Sequence, residues 1–195
     1  MLGYFAVGCA FTSLVMSIIS IALPYWCYYE LSICDVYWYY CQQSNVSDGF
    51  HFGLWTYCVK SSIDMKSEST CDSFKIVPEY LGAVRMLEVI GLLCVAGAAV
   101  LGAFEWSNMK ENERIQRLAG GLAILAGVLM ISGTVVFVLN TLGLVGPLAT
   151  LRAPSDLDIV SRTTLLVGFL LAIVAGVIAL ISGCLFFCSR CVKVT

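Results

Sequence analysis

The residues of this 195-residue sequence that could do chemistry are ten cysteines, one histidine and a group of loop carboxylates. His51 is the only histidine, so no Ser/His/Asp relay can be built without it. A lone histidine inside an aromatic stretch reads as a structural residue. No cluster has the spacing of metal ligands, and no glycine-rich phosphate loop occurs. The sequence therefore points away from an enzyme and calls for no cofactor. What remains is thiol and carboxylate chemistry, sorted by position. Cys27, Cys34, Cys41, Cys58 and Cys71 share one polar stretch, which also holds the glycosylation sequon Asn45-Val46-Ser47. Five cysteines in an oxidising compartment allow two bridges and leave one thiol over. Cys184, Cys188 and Cys191 lie beside Arg190 and Lys193 at the end of an apolar run, where S-palmitoylation is the expected chemistry and inert reduced thiols the alternative.

The elements that must position these residues are membrane spans. The chain is 59% hydrophobic and 12% charged, with a mean hydropathy of +0.90. A soluble domain carries about twice that share of charge, so the bilayer is the first partner. A net charge of −2 excludes a nucleic-acid footprint. Four stretches reach the roughly 20 apolar residues that a crossing needs. They cover about 2–24, 80–104, 118–140 and 163–188, within one domain of 195 residues. The first lacks the basic start and small-residue cleavage site of a signal peptide and reads as a retained helix.

Lys110, Arg114 and Arg117 between spans two and three, with Arg190 and Lys193 after span four, concentrate positive charge on one side. Lys60, Lys66, Lys75, Arg152 and Arg162 are spread over a much longer stretch on the other. That bias places both termini in the cytoplasm and loops 25–79 and 141–162 outside. The sequon and the five loop cysteines agree with it. Small residues recur four apart (Ala119, Ala123 and Gly127; Gly168, Ala172 and Gly176), which lets helices touch backbone to backbone. They serve either the packing of one bundle or an assembly face for a second copy. Arg85 and Glu88 lie three apart on one helix face, and the expectation is an ion pair, or else a part in an ion path.

The first loop is aromatic, with Tyr28, Tyr29 and Val36 to Tyr40 favouring extended structure. Gly53-Leu54-Trp55, followed by Cys58 and then Cys71, resembles the Gly-Leu-Trp-x-x-Cys…Cys signature of the claudin superfamily. Leu23-Pro24-Tyr25-Trp26 is similar to the family's exit from its first helix, Ala83-Val84-Arg85 to the start of its second, and Gly183-Cys184-Leu185 to the end of its fourth. The resemblance spans most of the chain. It implies a left-handed four-transmembrane-helix bundle, all-α apart from a small extracellular β-sheet. It also implies a Cys58–Cys71 bridge, with a tryptophan beside the disulfide as the sheet's apolar nucleus. Cys34 and Cys41 flank an insertion and read as a second, hairpin-closing bridge, which leaves Cys27 over at the membrane boundary.

Two functions follow from the resemblance. One is a cell-junction protein that assembles side by side and across the cell gap to form or regulate a paracellular barrier or channel. Seven acidic against three basic side chains in the first loop would set its selectivity, with Asp72, Asp64 and Glu68 as the charges nearest the motif. The other is an auxiliary gamma-type subunit of a pore-forming channel or receptor. The sequon, the run Glu79-Tyr80-Leu81 and a second loop without aromatics resemble that branch. The ending Val194-Thr195 lacks the terminal hydrophobe of PDZ-binding tails.

Overall fold

The computed structural model describes residues 2–31, 48–63, 66–74, 79–107, 113–141 and 162–191. Cys34, Cys41, Asn45 and Asp64 lie outside these residues, as does most of the second loop. Four helices, α1 (Leu2–Ala22), α2 (Glu79–Ser107), α3 (Glu113–Thr141) and α4 (Val167–Cys191), are each long and apolar enough to cross a membrane. Five strands, β1 (Cys27–Leu31), β2 (Asp48–Phe52), β3 (Thr56–Ile63), β4 (Lys66–Ser73) and β5 (Arg162–Leu165), form one antiparallel sheet in the order β4-β3-β2-β1-β5.

α1 stops at Ala22 because Pro24 disfavours helical backbone in the residue before it. The fourth helix begins four residues later than the apolar pattern suggests. Residues 163–165 belong to β5 and pair with Cys27, Tyr28 and Tyr29 of β1, so the second loop supplies an edge strand. Hydropathy could not separate the two states, because Thr163-Thr164-Leu165 is compatible with either.

The helices alternate in direction, which gathers the sheet at one end of the bundle and puts the start of α1 and the end of α4 at the other. Ser13 and Ser20 of α1 donate to the Ala175 and Gly168 carbonyls of α4 at 2.8 and 2.7 Å, and Ser182 donates back to Ala6 at 2.7 Å. Such bonds tie helices together where lipid gives no hydrophobic drive. The small-residue stripes are used inside the bundle. A Cβ at Gly127 would stand 2.7 Å from the Gly176 carbonyl, so α3 and α4 meet at backbone distance. The core has three layers along the axis. Trp26, Leu54 and Phe137 form the sheet-end layer, Val95 and Met130 the middle one, and Ala6 and Phe186 the far one.

Candidate functional site at the junction of sheet and bundle

The loop signature is built on a corner where the chain leaves α1 and doubles back through β2. The Trp26 amide donates to the Phe52 carbonyl and the Gly53 amide to Thr56, both at 2.9 Å. A Cβ on Gly53 would collide with the Leu23 carbonyl and stand 2.7 Å from the Pro24 Cα. Both obstacles are backbone and cannot swing away, so only glycine fits. Trp26 is fully buried, and its indole Nε1 donates to the Ser20 carbonyl at 2.8 Å. It packs edge-on against Phe137 of α3 at 5.1 Å and Phe169 of α4 at 6.4 Å. From the other side, Gly168 at the start of α4 donates to the Tyr25 carbonyl at 2.8 Å, and Leu166 donates to that of Trp26 at 3.0 Å. The corner is thus seated by its indole bond to α1, by the Gly168 amide of α4 on Tyr25 and by edge-on aromatic contacts.

Leu54 is buried beside it, whereas Trp55 is 44% exposed. The tryptophan at the heart of the sheet is therefore Trp26, and the apolar nucleus beneath the sheet is Trp26, Phe52 and Leu54 on the ends of the helices. The reason is geometric. In the bend between β2 and β3, Leu54 points into the bundle and Trp55 faces outward. Trp55 covers Arg85 instead. The guanidinium carbon lies 4.8 Å from the Trp55 ring centre and 5.7 Å from that of Phe74, and Nε donates to the Leu54 carbonyl at 2.7 Å. Trp26, Gly53, Leu54, Trp55 and Arg85 are thereby brought into one structure.

The expected Arg85–Glu88 ion pair does not form. Arg85 is held up against the sheet, while Glu88 is 1% exposed inside the bundle. Cys58 and Cys71 face each other in the β3–β4 register and are joined by a disulfide of 2.04 Å. Cys27 is a free thiol buried within the aromatic layer, and burial pushes its pKa up to about 12. His51 stacks on Tyr25 with ring centres 4.6 Å apart, and burial lowers its pKa. Asp72 is exposed at the end of β4, where its Oδ1 accepts the Ser73 amide at 2.8 Å. Glu68 pairs with Ser61 in the register. Cys184 and Cys188 are free and exposed on one face of α4, and Cys191 ends that helix.

The family model described as PMP-22/EMP/MP20/Claudin tight junction matches residues 11–188. The chain belongs to that family. A comparison with individual curated proteins finds no match. The match runs from α1 to the last turns of α4, so it takes in the whole clamp as well as the cysteine hairpin. Membership points to a non-enzymatic, multi-pass membrane protein. The sequence reading missed the partners of the clamp, Phe137, Phe169, Phe52 and Phe74, together with Gly168 as the seat for Trp26. Phe137 and Phe169 stand in uniformly apolar spans, where no contrast marks a contact residue. Nothing in the sequence joined Gly168, near the start of the fourth span, to Trp26 in the first loop.

Proposed function

We propose that this claudin-family protein acts at cell–cell junctions, where it forms or regulates a paracellular barrier or channel by assembling side by side and across the gap. The observation that carries the reading is the clamp. A sheet fixed to a membrane bundle by a buried tryptophan, with a disulfide-stapled hairpin at its rim, offers a rigid surface at a constant height above the lipid. Basic-residue asymmetry supports the sheet end as extracellular and both termini as cytoplasmic. In that orientation the Cys58–Cys71 bridge is in an oxidising space, Asn45 is available for glycosylation, and Cys184, Cys188 and Cys191 meet the acylating side of the membrane.

Asp72, next to the bridge, is the selectivity residue in this reading, and Asp64 and Glu68 add to its field. A fixed carboxylate in a narrow conduit attracts cations more strongly than one in bulk water, because screening is weaker there. The test is the dilution potential across epithelial monolayers expressing wild type or Asp72→Asn at matched surface level. A reduced preference for sodium over chloride in the variant supports the reading, and identical potentials overturn the role of Asp72.

The auxiliary-subunit reading is favoured by one observation, the second loop of Pro147 and Pro154 without an aromatic residue for contact across the gap. Expression in cells lacking junctions separates the two. Accumulation at cell contacts supports the first, and even distribution over the surface supports the second.

A further inference from the structure

The buried positions of α2 recur at Leu81, Val84, Glu88, Gly91, Val95 and Ala98, so Glu88 takes a core place in an otherwise apolar stripe. Its Oε1 has no hydrogen-bond partner among the described residues. Gly133 of α3 makes the room, since a Cβ there would lie 3.0 Å from Oε1. The buried hydroxyls of Ser17, Ser20 and Thr134 are committed to the carbonyls of Ser13, Gly168 and Ile131. One turn closer to the sheet, Arg85 commits Nε to Leu54 and its face to Trp55 and Phe74. Residues three apart are neighbours on a helix surface, so the same guanidinium can reach Glu88 once it leaves Leu54.

We propose that Arg85 is a two-position latch, bound to the Leu54 carbonyl when the Gly53–Trp55 corner is docked and turning to the Glu88 carboxyl when that corner lifts. A buried carboxyl without a partner is costly, and pairing it lowers that cost, so Glu88 pulls against the docked state. Trp55 is the lid over the cation and is 44% exposed, so it can leave the guanidinium without opening the buried layer. The latch gives the Gly53–Trp55 corner a second stable position while the Trp26 seat beneath it keeps the sheet at its height. This inference is independent of whether the protein seals, conducts or assists a channel.

The experiment is amide hydrogen exchange of the full chain in lipid nanodiscs, read at Trp26 and Gly53, whose amides close the corner. Glu88→Gln removes the competing site, and exchange at both amides should slow about fivefold. In an Arg85→Gln background the same substitution should have no effect, because no cation remains to be drawn away. Unchanged or faster exchange in Glu88→Gln overturns the latch, as does equal slowing in both backgrounds, which would reveal only the relief of a buried charge. Trp55→Ala supplies a second route. It should speed exchange at the corner, and Glu88→Gln should reverse most of that gain, whereas a failure to reverse it overturns the proposal.

Discussion

The sheet is held in two different ways. Its inner strands, β5, β1 and β2, lean on the helix ends through Trp26, Phe52 and the backbone bonds from Leu166 and Gly168. Its outer hairpin, β3–β4, leaves that layer at Tyr57 and Phe74 and is stapled to itself at Cys58–Cys71. Where four helices offer an apolar seat, burial and hydrogen bonds fix the chain. In the hairpin a covalent bond joins the strands as well, as in small domains too thin for a core of their own. The contrast assigns different consequences to damage in each region.

The largest effect should come from the inner region. Trp26→Ala removes a fully buried ring and its bond to the Ser20 carbonyl, a loss of about 3–5 kcal/mol. The sheet then has no seat, so the variant should be retained in the secretory pathway and melt well below wild type in detergent. Surface delivery at the wild-type level would mean that the bundle holds the sheet without its tryptophan. Cys58→Ala should come next. Loss of a native bridge in a small extracellular domain typically costs about 2–5 kcal/mol. The contrast places that cost in the hairpin. Limited proteolysis should cut between 56 and 73 while the four helices remain protected, although cellular quality control should still hold the protein back. If the helices lose protection at the same protease dose, the two regions are one cooperative unit and the contrast fails.

Much of this division was legible in the sequence, and the misses share a physical cause. Charge-free runs reported the four spans, and small residues four apart reported the α3–α4 contact. The Gly-Leu-Trp-x-x-Cys pattern marked the corner. Hydropathy did not report direction within an apolar segment. It carried Thr163 to Leu165 into a helix when they pair with β1, and it gave no sign that Phe137 and Phe169 are the partners of Trp26. Helical spacing set Arg85 and Glu88 three apart, and the ion pair expected from it does not form. Spacing could not show that a carbonyl and two rings from the loop would hold the guanidinium instead.

A smaller effect should follow from acidification. His51 lies on β2 against Tyr25, and its pKa is lowered from the usual 6.5 because burial disfavours the charged ring. The unfolded chain therefore binds the proton more readily than the folded one. Stability from this group is present above pH 6.5 and is lost as pH falls through the lower folded value. The melting temperature of wild type should decline slightly over that window, and His51→Gln should flatten the decline without shifting the neutral-pH melt by a comparable amount. An unaltered pH profile in the variant would assign the acid sensitivity to other groups.

The last contrast leaves the fold untouched and compares chemical reactivity. Cys27 sits in β1 at the base of the inner strands, with its pKa raised from 9.0 to about 12 by burial. The thiolate is the reactive form of cysteine, so this rise leaves almost none of it near neutral pH. Burial among aromatic rings also blocks the approach of a reagent. In the oxidised, folded protein, maleimide should leave Cys27 unlabelled over times that fully label an exposed thiol, and peptide mapping should find the adduct only after denaturation. Should Cys27 label in the native protein as fast as a model thiol at the same pH, β1 would have to leave the helix ends readily. The inner strands would then be no better anchored than the hairpin.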